Sequence, residues 1–307
     1  MAKLPLVLVK ELEAIRKSRV VVFCATHGKF MVPDDVAPMY RCLKALGRDS
    51  KIDVLLHSEG GLISASHKLA MLIRDFSGGF SALIPSKARS AATLFSLGAD
   101  EIIMSPLAEL SPIDANVGSA NRGSGEGIPE KISTEDIKAF RTIAKEWFSV
   151  DVKKNGLDVF NILNQRFFPT SLSGFFSADR YLRTISAELL ACQLPRLSIT
   201  RRAKIIDGLI SDYPHFHSFS CAKVKDIGLN ARLAVEKEEL LMEQILQETF
   251  SFMSAQGQSR EEGFTSGVLY CENCASRYAS RFSGGANALP EIHVSHQAST
   301  GRWIELK

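Results

Sequence analysis

Ser90 follows a short apolar run and opens a stretch of small residues, Ser90-Ala91-Ala92-Thr93. A serine placed where a strand gives way to a helix exposes its hydroxyl at the carboxyl edge of a parallel sheet, where α/β sites gather. About thirty residues earlier the chain reads His57-Ser58-Glu59-Gly60-Gly61. Paired glycines let backbone N–H groups face a ligand without side-chain obstruction. The N-terminus of a following helix adds a field that favours negative charge. Aimed at a reacting carbonyl, the amides of Gly60, Gly61 and Ala91 make an oxyanion hole. Each feature alone has an ordinary explanation: a strand-to-helix turn for the glycines, an N-cap for the serine.

The elements that must position these groups follow from periodicity. Residues 19–25, 51–57, 80–85 and 101–104 are short, continuous and apolar, as buried strands are. Between them, 34–47, 62–76 and 90–98 carry helical spacing. Strands and helices in alternation predict an α/β fold with a parallel sheet covered on both faces and right-handed crossovers. A Gly/Ser-rich loop at 117–129 precedes helices at 133–154, 157–166, 175–192 and 200–211. Residues 212–220 read as a loop and 221–227 as a short helix. A long amphipathic helix over 233–255 carries Leu240, Leu241, Ile245, Leu246, Phe250 and Met253. It suits an oligomer contact and packing on its own domain equally. The chain thus divides into a domain over 1–232, that helix (233–256) and a polar tail (257–307).

Composition narrows the classes. The 307 residues are 45% hydrophobic and 23% charged, with a net charge of +3, as in an ordinary globular protein. That charge is too small to argue for nucleic acid. No run approaches 18 apolar residues, so no integral membrane segment is expected. The run Leu4 to Val9 is too short for a signal-peptide core. A cytoplasmic location is the expectation, with the six cysteines as reduced thiols.

The longer pattern is specific. Ser58-Glu59-Gly60-Gly61 is followed by Pro85, Ala88 and Ser90-Ala91-Ala92-Thr93. Ala99-Asp100-Glu101-Ile102, Met104, Pro106 and Leu110-Ser111-Pro112-Ile113-Asp114 come next. Over roughly 15–235 this resembles the serine dehydrogenase proteinases, relatives of signal peptide peptidase A in the Clp protease/crotonase superfamily. The resemblance implies a Clp protease/crotonase-like spiral of βαβ units with helical additions, a serine endopeptidase activity and a peptide or protein substrate. It also implies a homo-oligomer. Ala92 and Ser111 stand where that family usually has glycine.

A serine hydroxyl needs a base. The stretch after the Ser90 helix, where Clp proteases carry a histidine, reads Leu110 to Val117 and holds none. Signal peptide peptidases use a lysine, in a Pro-x-Lys-Ile context about forty residues after the serine in their soluble relatives. Pro129-Glu130-Lys131-Ile132 matches it, and the resemblance makes Lys131 the leading base. For that role its amine must be neutral, which burial favours. Lys87, His215 and His217 are alternatives, and Asp114 could orient a base. His57 reads as a strand-end packing residue.

Catalysis of this kind requires no cofactor, and no Gly-rich nucleotide loop is present. In the tail, Cys271-x-x-Cys274 and His293-x-x-His296 have the types for a structural zinc; incidental cysteines in a docked tail explain them as well. Two other readings stay beside the peptidase: a crotonase-type acyl-CoA enzyme, which needs the oxyanion hole but no serine, and a non-catalytic scaffold.

Overall fold

The computed structural model describes residues 3–26, 28–48, 51–118, 131–151, 153–166, 169–210, 213–214, 216–256, 264–280 and 302–306. Helix α1 (Leu6–Arg16) leads into β1 (Arg19–Ala25). A 3-10 turn (Pro33–Asp35) opens α2 (Val36–Leu46), and β2 (Ile52–His57), α3 (Ile63–Ser77), β3 (Phe80–Ile84) and the two-residue β4 (Lys87–Ala88) follow. Next come α4 (Ala91–Leu97), β5 (Glu101–Met104), β6 (Glu109–Leu110), β7 (Asn116–Gly118) and β8 (Lys131–Ser133). Helices α5 (Thr134–Glu146), α6 (Gly156–Arg166), α7 (Pro169–Gln193), α8 (Ile199–Ile210) and α9 (Cys221–Ile227) precede β9 (Ala231–Leu233). The chain continues through α10 (Glu236–Gln256), β10 (Phe264–Cys271), β11 (Cys274–Ser280) and β12 (Arg302–Glu305).

The main sheet has the order β12-β11-β10-β1-β2-β3-β5-β9. Strands β1, β2, β3, β5 and β9 are parallel, as the alternation of strand and helix predicts. Side chains alternate faces along a strand, and both faces of this sheet are covered. On one face Val20, Val22 and Cys24 of β1 pack with Leu55, Leu83 and Ile103 against Val9 and Leu12 of α1 and Ile245 of α10. On the other face Cys271, next to Tyr270 of the first face, meets Cys42 of α2.

The structure adds to the sequence expectations in three places. Residues from Phe264 onward carry strands, not only a polar tail: β10 pairs antiparallel with β1, and β11 and β12 extend that edge. Val268, Leu269 and Tyr270 are fully buried there. The amphipathic helix packs on its own chain, with Leu241, Met242, Ile245, Leu246, Phe252 and Met253 buried against α1 and β10. Helix α1 occupies the apolar run at the N-terminus, closed by Lys17 in the left-handed conformation.

Two compact units are present. One takes in the described residues to Ile113 and those from Ser186 onward; the other runs Asp114–Ile185. Within the second, β7 and β8 form an antiparallel ribbon, and helices α5 and α6 contribute an apolar pocket of about 410 Å³ lined by Phe140, Ile143, Phe148, Val159 and Ile162. Among the described residues no helix is long and apolar enough to cross a membrane.

Candidate active site

Ser90 sits where the segment after β3 turns into α4. Its backbone adopts φ 49° and ψ −117°, a region that a non-glycine residue enters at a cost of about 1–3 kcal/mol. A serine on a sharp, strained strand-to-helix turn presents its Oγ clear of the helix. What holds the strain is local. The Ser90 amide donates to Ser111 Oγ at 2.8 Å. Its carbonyl accepts from Leu94 at 3.0 Å, and the carbonyl of Arg89 accepts from Ala92 at 2.8 Å. Behind it, Thr93 Oγ1 donates to the Ala88 carbonyl and accepts from the Ser111 amide. Every residue of α4 is buried, the small Ala91, Ala92, Thr93 and Ser96 together with Leu94, Phe95 and Leu97. Ala92 takes an ordinary helical place in it.

Ser111, a departure from the glycine of the resembling family, therefore has a definite task as the acceptor for the serine's own amide. Spacing gave no signal for this. The contact joins residues on separate elements, and only the three-dimensional return of the chain after β6 creates it.

Gly60 and Gly61 lie at the carboxyl end of β2, with φ of 106° and 153°. A Cβ built on Gly60 would stand 2.7 Å from the Arg89 carbonyl oxygen and 2.9 Å from Ser90 Cβ. The glycine is thus in direct contact with the serine turn. A Cβ on Gly61 would stand 2.3 Å from the Met31 carbonyl oxygen. The Met31 amide donates to the Gly60 carbonyl at 2.7 Å, and the Leu62 amide to the Met31 carbonyl at 2.9 Å. Backbone pairing also ties Ser58 to Lys87 and Arg89 at 3.1 and 3.0 Å. Two glycine amides with one serine turn are thereby locked side by side. The amides of Gly61 and Ala91 make no hydrogen bond among the described residues, whereas that of Gly60 donates to Ser58 Oγ.

The candidate bases are placed differently. Lys131 has its backbone in β8, paired with Gly118, rather than at the opening of a helix; α5 begins three residues later. Its side chain lies outside the described residues, as do the whole of His215, His293 and His296 and most of the loop 117–129. Lys87 is committed to an ion pair with Glu59 at 2.5 Å. His217 stacks on Tyr213 at 4.6 Å and meets Phe219 edge-on, in a loop bound to the serine's neighbourhood. Arg89 joins Glu109 and the Phe216 carbonyl, Glu109 accepts from Ser218, and Phe219 pairs with Leu110. Asp114 accepts from Thr134 Oγ1. His57 packs edge-to-face on Phe250 at 5.0 Å. Burial, aided by the Lys87 charge and opposed by Glu59, holds it down to about 4, so it is a neutral packing residue. Among the described residues no side chain bonds Ser90 Oγ.

Cys271 and Cys274 stand opposite each other across the turn joining β10 and β11. Cys42 Sγ donates to the Cys274 carbonyl at 3.7 Å, and Cys271 Sγ to the Cys42 carbonyl at 3.8 Å. All six cysteines are free. No group of three or more metal-binding side chains arranged for an ion occurs among the described residues.

Parts of this chain are similar to known proteins. The model of a family described as ClpP-like SDH-type serine proteinases matches residues 8–167. MJ1495, an uncharacterized protein of Methanocaldococcus jannaschii, is 29% identical over 120 residues, covering 36% of this chain and 41% of its own. MJ0137 of the same organism is 31% identical over 103 residues, covering 34% and 36%. The match thus spans less than half the length of either curated relative. Among solved structures, the 1510-N membrane-bound stomatin-specific protease aligns over 70% of this chain and 79% of its own at 14% identity, with a TM-score of 0.41. ClpP1 of Listeria monocytogenes aligns over 75% and 99% at 12% identity, with a TM-score of 0.38.

Proposed function

Because the chain belongs to the ClpP-like SDH-type serine proteinase family, and so is a serine peptidase of ClpP-like fold, we propose that Ser90 is its nucleophile and that the amides of Gly61 and Ala91 form its oxyanion hole. The observation that carries the reading is the strained Ser90 turn in contact with Gly60, beside two uncommitted amides. Lys131 is the proposed base. Its support is the Pro129-Glu130-Lys131-Ile132 context in the sequence.

The reaction is acyl transfer. The neutral Lys131 amine accepts the Ser90 Oγ proton as Oγ attacks a peptide carbonyl. Charge developing on the carbonyl oxygen is met by the Gly61 and Ala91 amides, such donors being worth a few kcal/mol each. The Lys131 ammonium returns the proton to the leaving amine. A water, deprotonated by the same amine, then releases the acyl group from Ser90. The chain acts in the cytoplasm as a homo-oligomer on peptide or protein substrates, without a cofactor in catalysis. A structural zinc on Cys271, Cys274, His293 and His296 is a separate proposal, supported by the donor types and by two cysteines facing each other at a tight turn.

A fluorophosphonate probe with mass mapping tests the core of this reading. The expected result is label on Ser90 and a loss of peptide hydrolysis by about a thousandfold or more in Ser90→Ala. An unlabelled wild-type chain would favour the acyl-CoA or scaffold readings. The His217 loop is tethered to Arg89, so His217→Ala is the control for the base. Full activity in Lys131→Ala with loss in His217→Ala would transfer the role to the histidine.

A further inference from the structure

Lysine is almost never fully buried unless it is paired, yet Lys29 is 2% exposed. Its Nζ donates to Asp35 Oδ1 at 2.7 Å and Oδ2 at 2.9 Å, and to the Phe30 carbonyl at 2.6 Å. The ammonium also lies over the rings of Tyr278 and Trp303, at 4.6 and 5.5 Å from their centroids. Asp35, fully buried, accepts further bonds from the Val32 amide and from Trp303 Nε1, both at 2.9 Å.

The ion pair therefore holds the residue on each side of Met31: Phe30 by its carbonyl and Val32 by its amide. Met31 is the residue whose amide and carbonyl pair with Gly60 and Leu62. The glycines at 60 and 61 have no side chains of their own through which packing could fix them. Their peptide planes are set by what the backbone pairs with, and on the Met31 side that segment is pinned by a buried charge pair. A stabilising role alone would not call for charges here. Well-packed apolar residues of similar volume are often as stable as a buried pair, or more so.

We infer that Lys29, Asp35 and Trp303 are positioning residues, which fix Met31 and through it the Gly60–Gly61 amides in the orientation that acyl transfer uses. This rests on the reading of Gly61 as an oxyanion donor. Trp303 reaches Asp35 from β12, more than two hundred and sixty residues along the chain, so the last strand of the sheet latches the segment beside the serine.

Two variants separate positioning from folding. Trp303→Phe keeps a ring against Lys29 and Tyr278 but removes the donor to Asp35. The double variant Lys29→Met with Asp35→Leu removes both charges and leaves neither alone. Both are expected to stay folded at the assay temperature, with melting temperatures lowered by the hydrogen bonds lost to Asp35 and Lys29. Both should lose Ser90 labelling rate by about ten- to a hundredfold, the scale of a small misplacement of a reacting group. In peptide hydrolysis the loss should fall on kcat and not on KM. Amide hydrogen exchange should rise in the peptides holding Met31 and Leu62 and stay unchanged in α1 and α10. Unchanged exchange at Met31 and Leu62 in both folded variants overturns the latch. Raised exchange with wild-type labelling overturns its positioning role. If the wild-type chain carries no label at all, the reading of Ser90 fails, while exchange still decides whether the latch exists.

Discussion

Gly60 has no room for a side chain. In Gly60→Ala the new methyl meets the Arg89 carbonyl and the Ser90 Cβ, on a backbone with φ of 106°. Neither neighbour is the end of a flexible chain, so the serine turn itself must move. Peptidase activity is expected to fall at least a hundredfold with the rest of the fold intact, read by hydrolysis beside far-UV circular dichroism. Wild-type activity in Gly60→Ala would mean that the contact with Ser90 is incidental. Ser111→Ala removes the acceptor for the Ser90 amide and should cost about 1–3 kcal/mol, seen in denaturant unfolding, with slower labelling of Ser90. The placement of Ser90 beside the glycine pair was legible in the sequence, because both follow the ends of apolar runs that read as neighbouring parallel strands. Ser111, Met31 and Asp35 were not legible. Their roles depend on which backbone atom faces them, and residue type and spacing do not encode that.

Strands and helices from 19 to 104 were readable because each is a short apolar run between clear breaks. What ties them together was not. Asp53, at the start of β2, is fully buried. It accepts from Arg16 Nε at 2.7 Å and Ser18 Oγ at 2.7 Å. Arg16 also reaches Glu238 of α10 at 2.9 Å, and Glu238 takes two further bonds from Arg232 of β9. The network joins α1, β2, β9 and α10, and a sequence pattern cannot show pairings at such separations. Burial disfavours the Glu238 carboxylate, but bonds from Arg232, the Val235 amide and Arg16 outweigh it and hold the group down to about 2. Its folded pKa lies below the ordinary value near 4.5. Its contribution is therefore complete above that value and is lost as pH falls through the interval from about 4.5 to about 2. Solvent screening limits it to on the order of 2 kcal/mol. Denaturant unfolding across that interval should show a fall in stability that is shallower in Glu238→Gln. Equal slopes in the two proteins would rule out this carboxylate as the cause. Arg16→Met should cost more, about 3–5 kcal/mol, because it leaves the buried Asp53 carboxylate without its cation and takes one of the two arginines from Glu238.

The whole sheet is finished by the part of the chain that looks least structured in sequence. Strands β10 and β11 are short of long apolar runs, and the glycines and charges around them read as a tail. Yet β10 covers the edge of β1 over Val22 to Ala25, and Tyr270 is sealed against Thr249 of α10 by a bond of 2.7 Å. An uncovered edge strand with residues as apolar as Val20, Val21, Val22 and Phe23 invites pairing with another chain. Ending the chain after residue 263 removes the fully buried side chains of Val268, Leu269 and Tyr270, each worth about 1.5–3 kcal/mol, and lays that edge bare. The expected outcome is an aggregating chain, recovered in the insoluble fraction. Ending it after residue 301 removes only β12. The remaining edge, β11, keeps Tyr278 and the β10 pairing, so this shorter protein should stay folded while its Ser90 reacts as slowly as in Trp303→Phe. Fractionation and labelling of the two truncations decide between a C-terminus that is needed for the fold and one whose final strand serves the site. A soluble, wild-type-like chain ending at 263 would refute the first role, and full labelling of the chain ending at 301 would refute the second.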